Sequence, residues 1–186
     1  MKRFNVLILS GIVFVILARQ ADAQVGTLEL FGDRSATSCL LAHTPFIESV
    51  YVIQTGGLAT TGVGVFSAPK PACFNTVWIG DGNPPAGTKI GSSQTSITVA
   101  VGVCRPLPAV ILEIQYLAGG TSTPCCIYNL ALMPGIPLKY TGCDFGERPM
   151  ILGPHSVTIN PDPSCACDAP LATEPSTWGR VKSLYR

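Results

Sequence analysis

Any chemistry in this chain would come from its eight cysteines, two histidines and eleven acidic side chains. The cysteines are Cys39, Cys73, Cys104, Cys125, Cys126, Cys143, Cys165 and Cys167, with one adjacent pair and one Cys-Ala-Cys. Structural zinc favours cysteines about two to four residues apart, often with histidine. Neither pair has that spacing and no histidine lies near either, so the sequence implies no metal and no cofactor. An even cysteine count in an exported chain implies disulfides instead. Neighbouring strand residues point to opposite faces, so Cys125 and Cys126 are expected to bond different partners, one inward and one outward. The expected pairing joins Cys39 to Cys104, and the adjacent pair to the later group Cys143, Cys165 and Cys167.

His43 and His155 have no i,i+4 or similar ligand spacing. They could meet in the fold beside Asp33 or Asp144, but a lone loop histidine is more often solvated than catalytic. No Gly-x-Ser-x-Gly marks a serine nucleophile, and no glycine-rich loop after a strand cradles a phosphate. Glycoside cleavage needs two carboxylates flanking a groove. Glu48 and Glu113 lie in strand-like segments and read as outward side chains. Asp81-Gly82-Asn83 reads as a hairpin turn, and Asp144, Glu147 and Asp162 as scattered loop acids. Trp78, Tyr51, Tyr116, Tyr128 and Tyr140 could form a sugar-stacking platform. Most share a strand face with aliphatic residues, however, and so are expected in the core, with Trp78 beside Phe74 and Thr76. No catalytic, cofactor-binding or metal-ligating residue is expected.

These side chains depend on where the chain goes. Lys2 and Arg3 precede an apolar run from Val6 to Ala18, followed by Ala21-Asp22-Ala23. That order is the layout of a secretory signal peptide over residues 1–23, cut before Gln24. The run would cover roughly 20 Å as a helix, short of a hydrocarbon core of about 30 Å. No later stretch is long and apolar enough to span a bilayer as a helix, so the mature form is expected to have no transmembrane anchor. Loss of the leader removes Lys2, Arg3 and Arg19 from 12 basic residues and Asp22 from 11 acids, leaving a net charge of about −1. Such a chain has no electrostatic footprint for nucleic acid. Only 12% of residues are charged, about half the usual share.

The elements that would position these residues alternate with the period of a strand. In Thr95–Gly102, Ile97, Val99 and Val101 share one face. In Ala109–Tyr116, Val110, Leu112, Ile114 and Tyr116 share one face, and Glu113 and Gln115 the other. Phe46–Gln54 carries Ile47, Tyr51 and Ile53 on one side and Glu48, Val50 and Val52 on the other. Further strands are expected over Thr27–Phe31, Gly62–Ser67, Cys73–Gly80, Cys126–Met133, Pro137–Gly142 and Ser156–Asn160. Gly56-Gly57, Asp81 to Pro85, Gly119-Gly120 and Pro134-Gly135 break the chain between strands. The expected fold is all-β: an antiparallel β-sandwich of about nine short strands, reinforced by disulfides, in one domain over 24–167. A linker over 168–175 leads to a short C-terminal amphipathic helix over 176–186. Its apolar face, Trp178, Val181 and Leu184 or Tyr185, makes it a candidate docking tail.

The stretches LFGDRSATSC, PFIESVYVIQT, PCC, INPDPSCAC and TWGRVKSLYR together resemble a group of uncharacterised secreted bacterial β-proteins with a Thr-Trp-Gly-x-x-Lys-x-Leu-Tyr-type tail. The resemblance implies an exported β-domain and carries no functional residue with it. The leading expectation is an exported structural or interaction module without catalytic activity, secreted, periplasmic or on the cell surface. Its partner would be a protein or glycan of the cell envelope. A carbohydrate- or small-ligand-binding module is the alternative, and a secreted hydrolase ranks third. Protein recovered from its native source should begin at Gln24 and contain no free thiol. Intact mass spectrometry with and without alkylation checks both, and eight free thiols would restore the metal reading.

Overall fold

The computed structural model describes residues 25–41, 46–82 and 87–165. Among them are thirteen strands: β1 (Gly26–Phe31), β2 (Leu40–Leu41), β3 (Ile47–Gly56), β4 (Thr60–Ser67), β5 (Thr76–Gly82), β6 (Thr88–Ser92), β7 (Ser96–Arg105), β8 (Ala109–Ala118), β9 (Cys126–Tyr128), β10 (Ala131–Leu132), β11 (Lys139–Gly142), β12 (Glu147–Leu152) and β13 (Val157–Ile159). The all-β expectation holds. The expected C-terminal helix and linker, with Trp178, Val181, Leu184 and Tyr185, lie outside the described residues.

The pairing departs from the expected antiparallel sandwich. One ten-stranded sheet runs β5-β8-β3-β1-β12-β11-β4-β7-β6, with β10 also on β4, and β2-β13-β9 form a second, small sheet. β1 pairs with β12 and β2 with β13 in parallel, so both sheets are mixed. The large sheet curls until its ends nearly meet, as in a barrel. Asp81, on end strand β5, spans the gap. Its carboxylate accepts the backbone N–H of Ser93, beside the end strand β6, at 2.9 Å, and the Trp78 indole N–H at 3.3 Å. Trp78 is partly buried against the core, beside fully buried Phe74 and buried Thr76.

Alternation explains most of the core. Ile97, Val99 and Val101 of β7 all face inward, as expected. On β8, Leu112, Ile114 and Tyr116 are buried, but so is Ile111, while Val110 is only half-buried. A register shift opposite Val52 and Ile53 inserts one residue on β8 and flips the alternation there. Glu48 is buried rather than outward, because it shares the face of Val50 and Val52. Ile47, on the other face, is 58% exposed.

β12 contains Pro149 yet lies between two strands. Proline has no N–H to give, so it is rare inside sheets. Here the Met150 N–H points to Leu138 on the β11 side, so Pro149 faces the β1 side. Pairing with β1 begins only at Met150, opposite Gly26, so no strand there lacks a donor. The expected strand over Cys126–Met133 splits for a different reason. β9 pairs with β13 in the small sheet and β10 with β4 in the large one, so the chain changes sheets at Asn129-Leu130. Leu41, Tyr128, Val157 and Ile159 of the small sheet join the same core as Leu28, Val52, Ile114 and Val99 of the large one.

Gly57 follows β3 with φ +94°, and a side chain there would meet Tyr140 Oη and the Gly26 backbone at 2.9 Å. Glycine alone fits both the angle and the space. The Tyr140 hydroxyl accepts the Leu58 N–H, and Gln54 donates to the carbonyls of Gly56 and Leu58, closing that turn.

Three disulfides join described residues: Cys73–Cys126, Cys104–Cys143 and Cys125–Cys165. Cys39 is also disulfide-bonded. The adjacent pair therefore has two different partners, with Cys126 buried and Cys125 half-buried. The Cys125–Cys165 link fits the expected group. Cys126 instead reaches back to Cys73, ahead of β5, and the expected Cys39–Cys104 bond is corrected because Cys104 bonds Cys143. The strand order explains this: the end of β7 approaches the β11–β12 hairpin through β4. The loops span 53, 39 and 40 residues, and closing each contributes roughly 2–4 kcal/mol. The Cys73→Ser/Cys126→Ser variant should therefore lose roughly 2–4 kcal/mol in urea unfolding. An unchanged midpoint would mean that packing alone holds β5 to the small sheet.

Candidate ligand-binding surface

The β11–β12 hairpin turns through residues 142–146. Phe145 N–H donates to the Gly142 carbonyl and Gly142 N–H to the Gly146 carbonyl, both at 2.9 Å. Across the turn, Arg148 grips Asp144 with two parallel hydrogen bonds, Nη1 to Oδ1 at 2.7 Å and Nη2 to Oδ2 at 2.5 Å. Asp144 Oδ1 also accepts the Gly146 N–H. A side chain at residue 142 would collide with the Arg148 guanidinium, so glycine there makes room for the fork. Cys143 ties the same turn to Cys104 of β7.

This fastening presents Phe145. Its backbone has φ +62°, a left-handed conformation uncommon for a bulky residue, and its ring is 80% exposed. A conformation of that kind costs on the order of 1–3 kcal/mol and persists only where its surroundings impose it. Phe145 lines an open trough of about 530 Å³ on the outer side of β4, β7 and β11. Gly62 and Gly64 of β4 and Ala100 and Gly102 of β7 keep much of its floor bare, with Val103 exposed beside them. Thr61, Thr98 and Thr141 bring hydroxyls, Glu147 brings the acid, and the Cys104–Cys143 bond lies along it. Those small residues have a local cause: β4 is bulged against β7, and a Cβ at Gly62 would stand 2.9 Å from the Val99 carbonyl.

Among the described residues, the side chains weighed as possible catalytic groups lie apart or have other roles. His155 Nε2 lies 3.4 Å from Glu29 Oε1, with both side chains nearly covered. The Thr55 hydroxyl donates to the other oxygen of Glu29 at 2.6 Å. A nucleophile relay needs the hydroxyl on the imidazole and the imidazole on the acid. Here both groups serve one buried carboxylate, which is how such a charge is satisfied. His43 lies outside the described residues. Asp33 is occupied in its own loop, accepting from Ser35, Thr37 and Ser38. Burial raises its pKa, but these hydrogen bonds outweigh that and bring it down to about 2. Glu48 and Glu113 fall on opposite faces of the sheet. Glu48 is buried, and Glu113 is half-buried and accepts from Ser49 at 2.7 Å, so they flank no common groove.

Among the described residues, Cys125, Asp162 and Cys165 bring potential metal ligands within 4.8 Å of one another. Both sulfurs belong to one disulfide and have no thiolate to offer. The aromatics weighed as a sugar platform lie mostly in the core, as expected: Tyr116, Tyr128 and Tyr140 are fully buried, and Tyr51 and Trp78 partly so. No family model and no curated protein matches this chain.

The Arg148 guanidinium, then the Gly146 N–H, hold the Asp144 carboxyl well below the usual carboxylate range. A depressed folded pKa makes the fork's contribution complete above the unfolded value of 3.8 and lost only as pH falls through the folded one. The Gly146 amide resonance should therefore hold its hydrogen-bonded position below pH 3.8 and shift only at still lower pH. In Asp144→Asn that late step should disappear, as followed by amide NMR across an acid titration.

Proposed function

We propose that this protein is an exported interaction module of the cell envelope, without catalytic activity, that holds its partner at the Phe145 trough. The observation that carries this is a phenylalanine kept exposed in a left-handed backbone by a disulfide and a bidentate ion pair. Nothing in the packing of the core calls for a phenyl ring at that position. Strain held in place at an exposed aromatic points toward function, and aromatic anchors surrounded by rigid backbone are what binding hot spots are made of. The disulfides and low charge suit export to an oxidising compartment, whether secreted, periplasmic or at the cell surface. In this proposal the curled sheet works as a flattened sandwich, β5-β8-β3-β1 over β11-β4-β7-β6, hinged at β12. The tail with Trp178, Val181, Leu184 and Tyr185 serves as a second docking element.

A glycan is the second reading of the partner. Three threonine hydroxyls and one carboxylate beside an aromatic face suit a sugar ring, with stacking below and hydrogen bonds at the edge.

Phe145→Gly separates binding from folding. It relieves the left-handed strain, so stability should stay level or rise by up to about 1 kcal/mol. Capture from the native envelope fraction should nonetheless fall at least roughly tenfold, the loss expected of a central aromatic anchor. Periodate treatment of that fraction should abolish capture if the partner is a glycan, and protease treatment if it is a protein. Undiminished capture by Phe145→Gly would remove the trough from the interaction.

A further inference from the structure

The three disulfides between described residues differ in access. Cys126 is buried and Cys73 half-buried, and both ends of Cys125–Cys165 are half-buried. Among these six residues only Cys104 is exposed, and it lines the Phe145 trough together with its half-buried partner Cys143. Thiol–disulfide exchange needs a thiolate to reach a sulfur, so exposed bonds are the labile ones and covered bonds the structural ones.

The Cys104–Cys143 bond also sits where the sheet is interrupted. β4 runs from Gly62, opposite Ala100, to Thr60, opposite Arg105, so Val101 to Cys104 of β7 have only Thr61 to face. On its other side β7 is in register with β6 no further along than Ala100. The run 101–104 therefore leaves the ladder as a broad bulge, with Gly102 at φ +79° and Gly102, Val103 and Cys104 all exposed. A second register shift, between Thr141 and Gly142, marks where β11 departs from its ladder with β4 and enters the turn that carries Phe145. Both walls of the trough thus leave the sheet near Thr60, and the Cys104–Cys143 bond joins them.

We propose that this bond is a reversible thiol-exchange site, opened by a dithiol reductant of the cell envelope, and that opening it switches the trough off. One thiolate of the dithiol attacks Cys104 Sγ, the Cys104–Cys143 S–S bond breaks, and Cys143 leaves as a thiolate that takes up a proton. The second thiolate of the dithiol then attacks its own first sulfur in the mixed disulfide. Cys104 is released as a second thiol and the dithiol closes into a disulfide. Two electrons and two protons have then passed from the dithiol to the protein. The fold survives the change, because β4 pairs with β7 and with β11 beyond the interrupted stretch. The change is local: the turn keeps its Arg148–Asp144 fork but loses its anchor on the bulge. Phe145 must then be ordered again each time a partner binds, which weakens binding. This regulation rests on the trough being the binding site.

Dithiothreitol, raised in steps on the oxidised full-length protein and stopped with iodoacetamide, reads the order of opening by peptide mass. Cys104 and Cys143 should be alkylated at a concentration at least roughly tenfold below that needed for Cys73–Cys126 and Cys125–Cys165. At that step the Gly142, Phe145 and Gly146 amides, hydrogen-bonded in the closed turn, should exchange their hydrogens faster, while the β8 amides should not. Desalted, unalkylated protein from the same step should capture its partner from the native envelope fraction at least roughly tenfold less well, and recover on reoxidation. If either of the other two bonds opens first, the proposal is overturned, as it is if the turn amides exchange no faster once the bond is open. Capture separates the switch from the reading beneath it. If Phe145→Gly loses capture and the reduced protein keeps it, the trough stands and the switch fails. If both keep it, the trough reading fails and the switch with it, while the order of opening still decides the thiol-exchange site.

Discussion

The hydroxyls of Tyr116 and Tyr128 meet at 2.6 Å in the middle of the core, and the rest of the fold is arranged around that contact. Tyr128 gives its one proton to the Ala68 carbonyl at 2.6 Å, so Tyr116 must donate to Tyr128. Tyr116 in turn accepts from the Gln94 amide at 3.1 Å. The chain of bonds links β8, β9 of the small sheet, the segment after β4 and the turn between β6 and β7. Burial, the largest influence on both phenols, pushes their pKa values up, which keeps the donated protons in place. Phe74 packs edge-on against Tyr116, with ring centroids 4.9 Å apart, and its neighbour Cys73 bonds Cys126, two residues before Tyr128. A buried network of this kind is costly if any member is left unsatisfied. Its full satisfaction explains how one core can hold both sheets in a single relative position.

Strand period and turn chemistry were enough to foresee an all-β chain, the inward face of β7 and most of β8, and the burial of three tyrosines. They did not reveal pairing order, because alternation says which way side chains point and not which strand lies alongside. β12 was hidden by Pro149, which is acceptable there only because β1 starts one residue later. β9 and β10 looked like one strand because the alternation continues through the point where the backbone changes sheets. Glu48 was misjudged because its charge suggested water while its parity with Val50 and Val52 set it inward. The separate partners of Cys125 and Cys126 followed from parity alone. Their identities depended on the sheet order, and the Cys104–Cys143 bond likewise rests on β4 lying between β7 and β11.

The trough was less legible than the fold. Phe145 belongs to no alternating run, and the aromatics considered for binding were those on strands, where the core takes them. A local signal was present all the same: an acid and an arginine four residues apart, enclosing Phe-Gly, directly after a cysteine. In a hairpin turn that spacing allows a bidentate clamp, and the cysteine supplies a tether. The bareness of the trough could not be foreseen, since Gly62, Gly64 and Gly102 read singly as turn or bulge residues. Only the bulged pairing of β4 with β7, and β11 beyond β4, brings them to one surface.

A chain with 12% charged residues has little electrostatic protection against unwanted association and must rely on geometry. Much of its polar chemistry faces inward, in the tyrosine chain, in Asp81 between the sheet ends and in Glu29 under His155. The surface that remains is rich in threonine, glycine and isolated aliphatics, and few of its exposed apolar groups are organised. Phe145 is organised by restraint: its loop is tied by a disulfide and an ion pair, so the ring has little entropy left to lose on contact. The Ile47–Leu117–Val77 row is organised by register across β3, β8 and β5. Both depend on the same stiffness, because a core fixed by buried hydrogen bonds and cross-links can keep apolar groups in water without collapsing around them.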